Sequence, residues 1–268
     1  MFPPDNPWNQ DISASPVHPL SAAYIDSIGA DTTLHADFGS NPEYGIPFSV
    51  APPATPRVPI VFVEYGEESD PGPYPIPSIA PVEFGSDHHL LVLASGECRL
   101  YELYHARRAG YGWQAGSGAI FDLFRNALRP EGWTSADAAG LPILPGLVRY
   151  DEVQFGTIHH ALRFTVETTS RGYIHPATHF ASDDDNPNLP PMGLRLRLRA
   201  DYDIARFTGA ARVILEAMRR YGLILADNGS NWFISGATDP RWDDEDLDQL
   251  KTVPGSALEA VYTGEILT

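Results

Sequence analysis

Apolar positions along this chain fall in short runs cut by proline and glycine. Segments 45–50, 58–65, 89–94, 98–105, 119–123, 157–166, 172–175 and 193–199 have the length and alternation of strands. Two further runs, 223–226 and 231–235, flank Asp227-Asn228-Gly229-Ser230, whose Asn-Gly pair tolerates the positive φ of a hairpin turn. One stretch keeps helical spacing: after Thr208 as N-cap, Ala211, Ile214, Leu215, Met218 and Tyr221 share a face, and Gly222 supplies the stop. Shorter helices are expected from Ser21 to Gly29 and from Asp243, where acidic residues suit the positive end of the helix dipole. The expected fold is mainly β: an antiparallel β-sandwich or jelly roll with one well-defined peripheral helix and one or two short ones. Residues 1–268 read as one β-rich domain, with 1–18 an extended arm packed on it.

Composition narrows the partners. With 18 Lys plus Arg against 35 Asp plus Glu, the net charge of −17 repels a phosphate backbone, so nucleic acid is not an expected partner. The longest apolar stretches, such as 141–148, are far below the length of a bilayer span, so no membrane role is expected. A single cysteine, Cys98, rules out an internal disulfide. The opening Met1-Phe2-Pro3-Pro4-Asp5 has neither the basic nor the apolar part of a signal peptide; the reading is an extracellular or periplasmic protein whose signal peptide is absent from this chain.

Candidate chemistry starts at Asp87-His88-His89-Leu90-Leu91-Val92-Leu93, followed by Ser95-Gly96 and Cys98-Arg99-Leu100-Tyr101-Glu102-Leu103-Tyr104. A two-residue turn at Ser95-Gly96 sets His89 opposite Glu102, on a face shared with Cys98, Leu100 and Tyr104. A carboxylate among apolar neighbours needs a partner, and the pair reads either as acid–base machinery or as a structural hydrogen bond. A second hairpin, 157–166 with 172–179, brings His160 near His179, with Pro176 as an interruption. No cofactor is predicted. A divalent metal, if present, would take His89, Glu102, His160 and His179, a set assembled from distant strands.

Trp133-Thr134-Ser135-Ala136-Asp137 places an aromatic beside a carboxylate on a capped loop, as a sugar site requires, though it is also ordinary cap chemistry. Leu194-Arg195-Leu196-Arg197-Leu198-Arg199 alternates, so three arginines share one strand face, fit either to grip carboxylates or to neutralise nearby acids. Catalytic candidates are therefore Glu102, His89, His160 and Asp137; substrate-binding candidates are Trp133, Trp113, Tyr104, Arg195 and Arg197.

Asp5-Asn6-Pro7-Trp8-Asn9, Tyr101-Glu102-Leu103-Tyr104, Gly140-Leu141-Pro142-Ile143-Leu144-Pro145-Gly146-Leu147, His160-Ala161-Leu162 and Tyr221-Gly222 resemble stretches of an uncharacterised group of bacterial secreted proteins. The resemblance spans most of the chain, implies export, and carries no activity or site residues. The functional expectation rests on local chemistry: a secreted enzyme cleaving glycosidic bonds in a polysaccharide or oligosaccharide. In a hydrolase, Glu102 would pair with Asp137 or Asp87; in a lyase, less favoured, His160 would take a proton beside a uronate that arginine neutralises. The alternatives are a non-catalytic carbohydrate-binding or surface-interaction domain and a metal-dependent oxidative enzyme on a cupin-like barrel.

Overall fold

The structure, a computed structural model, describes residues 1–268. It is mainly β, and its strands form three mixed sheets. In chain order the elements are α1 (Ser21–Ile28), β1 (His35–Asp37), β2 (Phe48–Ala51), β3 (Ile60–Phe62), β4 (Leu90–Ala94), β5 (Arg99–Tyr104), β6 (Arg107–Ala109), β7 (Gly112–Ala115) and β8 (Ser117–Asp122). Then follow α2 (Tyr150–Gln154), β9 (Leu162–Val166), β10 (Arg195–Leu198), α3 (Gly209–Arg220), β11 (Leu223–Asn228), β12 (Phe233–Ser235), α4 (Asp244–Asp248) and β13 (Leu258–Val261). No helix is long and apolar enough to cross a membrane.

The largest sheet runs β1-β12-β9-β11-β10-β13, the second β2-β4-β5-β8 and the third β3-β7-β6. Parallel pairs occur in all three: β1 with β12, β9 with β11, β2 with β4, and β3 with β7. This departs from the purely antiparallel expectation. α3 is the helix that the spacing predicts; it buries Ala211, Ile214, Leu215 and Met218 in the main core, and the chain leaves it through Gly222 at φ +74°. α1 and α4 also form where expected, with Asp243 accepting from the amides of Glu245 and Asp246.

The four-stranded sheet is buried on both faces. Leu91, Leu100, Ala119 and Phe121 pack on Ile143, Leu144 and Leu147, while Leu90, Val92, Tyr101 and Leu103 pack on Tyr74, Trp113 and Ala115. The segment around residues 142–147 thus packs against the sheet. Gly146 is required there because a Cβ would lie 2.6 Å from the Trp8 ring and 3.0 Å from Cβ of Arg163. Trp8 belongs to the N-terminal arm, which packs along the end of α3 and the large sheet through bonds such as Ile12 N–H to the Arg220 carbonyl of α3 and His18 N–H to that of Ala260 in β13.

Three expected pairings are corrected. β4 and β5 join through four residues, 95–98, with Cys98 at φ +50°, so Leu91 rather than His89 stands opposite Glu102. The displacement is two residues, and an even shift keeps both side chains on the face assigned to them. The 223–226 and 231–235 strands exist but form no hairpin, because β9 lies between β11 and β12. Residues 172–179 do not return along 157–166; Tyr173 makes only isolated bridges to Met192 and Leu267.

Candidate active site

A cavity of about 320 Å³ opens where the edge of the four-stranded sheet meets β11 of the large one. Tyr104 and Ser117 come from β5 and β8, Asp87 from the turn before β4, Asp227 and Asn228 from β11, and residues 134–138 from a loop between them. His179 and Tyr65 complete the wall.

Sequence-local bonding shapes the 134–141 loop. The Asp137 amide donates to Ser135 Oγ at 2.9 Å, Ser135 Oγ donates to the Leu141 carbonyl at 2.6 Å, and Thr134 Oγ1 to the Asp137 carbonyl at 3.1 Å. Gly140, at φ +72°, closes the loop where a Cβ would fall 2.2 Å from Thr178 Oγ1. The Ala139 amide then donates to the carbonyl of Ala226, which ties the loop to β11.

Ala226 is also the residue at which β11 slips its pairing. Leu225 pairs with Phe164 and Asp227 with Thr165, leaving Ala226 unpaired as a bulge. Without that extra residue Asp227 would share the apolar face of Phe164 and Val166. With it, Asp227 joins Arg163 and Thr165 on the opposite face.

Arg163 is buried and holds two of the lining residues, Asp137 and Asp227. Its Nε and Nη2 donate to Asp137 Oδ2 and Oδ1 at 2.9 and 2.7 Å, Nη2 also reaches Asp227 Oδ2 at 3.2 Å, and Nη1 donates to Ser235 Oγ at 2.6 Å. Burial by itself would lower the Arg163 pKa, but the Asp137 charge and hydrogen bonds outweigh it and the value is raised. The two carboxylates differ in access. Asp137 has no exposed side-chain surface, whereas 22% of the Asp227 side chain is exposed. Burial and the neighbouring Asp137 charge push the Asp227 carboxyl up to about 7, against the pull of Arg163. Tyr104 is raised to about 12 by burial first and then by Asp87. His179 Nδ1 donates to the Ala138 carbonyl at 2.8 Å, which leaves Nε2 as the acceptor nitrogen of the neutral ring.

Of the residues singled out from sequence, Asp137, Asp87, Tyr104 and His179 line this cavity. The expected convergence of Glu102, His89 and His160 with them does not occur, because each is satisfied inside the protein. Glu102 is fully buried and accepts from the amides of Ile143 and Leu144 at 2.9 Å, fixing the turn that begins at Leu144. Its carboxyl is raised to about 7 by burial, partly offset by those amides. His89 bonds Glu83 through Nδ1 at 2.6 Å and the Ala136 carbonyl through Nε2 at 3.0 Å. Burial opposes its charge, but the Glu83 hydrogen bond and charge prevail and raise it to about 9. His160 sits between Arg149 and Glu152 and is lowered, by burial first.

The conditional metal set His89, Glu102, His160 and His179 is therefore four separate environments, and no group of three or more such side chains has a metal-holding arrangement. Trp113 is buried in the third sheet beneath Arg108, and Trp133 lies under Arg129 rather than in the cavity wall. Arg195 and Arg197 grip the N-terminal arm, donating to the carbonyls of Pro7, Gln10, Ile12, Ser13 and Ser15. The residue missed from sequence is Asp227, taken for a turn position. Comparison with protein-family models, with curated proteins and with solved structures finds no match.

Proposed function

We propose that this chain cleaves glycosidic bonds by acid–base hydrolysis in the Asp227 cavity. The observation that carries the reading is the pair of carboxyls on Arg163: Asp137 has no exposed surface, whereas Asp227, which takes the Asn228 amide on Oδ1 and Arg163 on Oδ2, is partly exposed to the cavity with its pKa raised to about 7. A partly exposed carboxyl whose surroundings raise its pKa toward neutral is suited to act as an acid. Asp227 gives its proton to the departing glycosidic oxygen. Asp87, in the same cavity, either deprotonates the attacking water or attacks the sugar carbon itself. Asp137 is left to position Arg163, since its side chain has no exposed surface and both of its oxygens are on that guanidinium. The rings of Tyr65 and Tyr104 and the amide of Asn228 suit the apolar faces and hydroxyls of a sugar. The reading takes the chain as extracellular or periplasmic, where polysaccharides are the substrates at hand.

The test is mass spectrometry of products from a panel of neutral and acidic polysaccharides. Products one water heavier per cleavage, abolished by Asp227→Asn and Asp87→Asn, support the reading. Because the acid must carry its proton, kcat/KM should fall as pH rises through about 7. Unsaturated products would replace hydrolysis with elimination, with His179 Nε2 as the base. Binding without turnover would leave a carbohydrate-binding domain.

A further inference from the structure

A second cavity, about 400 Å³, lies on the other side of the same loop: residues 126–129 and 140–142 line it, as residues 134–138 line the first. Its floor contains Arg195. Three arginines are buried in this protein, Arg129, Arg163 and Arg195. Arg129 pairs with Asp70 at 2.6 Å and Arg163 with Asp137 at 2.7 Å. Arg195, 3% exposed, has no carboxylate partner at all. Its donors go to the main-chain carbonyls of Tyr221, Pro7 and Gln10, which use four of its five N–H groups and leave one on Nη1. Burial without a counter-charge pushes its pKa down to about 9. An unneutralised buried guanidinium is costly, and it is otherwise avoided here.

The cavity supplies the place for the missing charge. Arg129 lines it as well but is already paired with Asp70, and the single carboxylate on the wall, Asp5, accepts from the Asn126 amide and makes no ion pair with Arg195, so Arg195 is the cation there without a counter-charge. The side-chain amides of Asn6, Gln10 and Asn126 line the same cavity, and Trp8 and Phe121 supply ring surface. A charged fork without a counter-charge, set in a cavity with amides and aromatic rings, matches a small molecule with one carboxylate and several hydroxyls. We propose that this cavity binds a sugar acid, with its carboxylate against Arg195 and its hydroxyls on the amides. The site is separate from the Asp227 cavity and holds whether or not that cavity is catalytic.

The probe is D-galacturonate, with D-galactose as the neutral control, titrated calorimetrically into the full chain. Galacturonate should bind saturably and at least about tenfold more tightly than galactose, a difference one charge-assisted contact supplies. Arg195→Met should abolish the difference. Because Arg195 also anchors the N-terminal arm, Leu128→Trp provides a second variant: Leu128 lines the cavity and is 43% exposed, so a larger ring narrows the opening without disturbing the core. It should weaken galacturonate by at least about tenfold. Asp227→Asn should bind as the parent does, which separates this site from the catalytic proposal. Equal affinity for the two sugars, no binding of galacturonate, or binding unchanged in Leu128→Trp overturns the proposal.

Discussion

Glu102 and Asp227 are carboxyls raised to about the same pKa by the same cause, burial, yet they occupy unlike places. Glu102 lies inside the four-stranded sheet with two backbone amides on its oxygens and no surface. Asp227 is set by a strand bulge in the wall of a cavity and stays partly exposed, with one oxygen on the Asn228 amide and the other on an arginine already claimed by another aspartate. The first is a joint between a sheet and the segment packed on it. The second has a proton and somewhere to deliver it. A perturbed carboxyl becomes a candidate for chemistry only where a substrate can reach it.

The largest expected effect tests that contrast directly. Asp227→Asn should lower turnover about 100-fold or more, the usual contribution of a positioned acid, while Glu102→Gln leaves kcat close to the parent value. Asp227→Asn should not lower stability: the folded-state pKa lies above the ordinary value of 3.8, so the fold favours the neutral form that asparagine imitates. If Glu102→Gln abolishes turnover in a folded protein and Asp227→Asn does not, the two assignments are exchanged.

Next in size is Arg163→Met, read by urea denaturation at pH 7. It strands Asp137, whose side chain has no exposed surface, and should cost about 3–5 kcal/mol, as removing one member of a buried pair does. Combining it with Asp137→Asn should recover part of the loss, because the uncompensated charge goes too.

The joint at Glu102 has a pH signature. Its folded-state value of about 7 exceeds the ordinary 4.5, so the folded state holds the proton more tightly. Its contribution to stability should be greatest below 4.5, decline as pH rises to about 7, and level off above it, by an amount on the order of 3 kcal/mol. Glu102→Gln should remove its share of the decline and leave the share that Asp227, raised from 3.8 to about 7, contributes over the same window. His89, raised from 6.5 to about 9 by Glu83, contributes stability that is complete below 6.5 and lost as pH rises through 9. A decline confined to the higher window and unchanged in Glu102→Gln would transfer the effect to the His89 pair.

Why sequence reading reached Glu102 more readily than Asp227 follows from what local pattern encodes. Alternation in 89–94 and 98–105 placed both strands and showed Glu102 on an apolar face, and the spacing of Ala211, Ile214, Leu215 and Met218 fixed α3. Alternation carries no record of which strands become neighbours. Asp227-Asn228-Gly229-Ser230 has the composition of a hairpin turn, but β9 separates its flanking strands, and Asp227 is a strand residue. The bulge at Ala226 that turns Asp227 toward Arg163 arises from tertiary pairing, and a four-residue run of Leu-Ala-Asp-Asn carries no mark of it. Asp137 was legible through its capped loop; its partner Arg163 was not, since one arginine in an apolar strand declares neither face nor partner.

The arginines of β10 and the residue after it make the same point at the smallest scale. Arg195, Arg197 and Arg199 are equivalent in alternation, but they run from the interior to the surface. Arg195 is buried on main-chain carbonyls, Arg197 is half-buried on Glu259 and the arm, and Arg199 reaches only the exposed Asp201. Arg197→Gln should loosen the arm, because the carbonyls of Ile12, Ser13 and Ser15 lose their donor; earlier proteolysis within residues 10–16 would show it. Arg199→Gln should leave both the cleavage pattern and the urea midpoint unchanged, since an exposed pair two residues apart holds nothing else in place. If Arg199→Gln releases the arm as readily as Arg197→Gln, the arm is held by the summed charge of the stripe rather than by individual carbonyl contacts. The burial gradient would then have no bearing on what each arginine does.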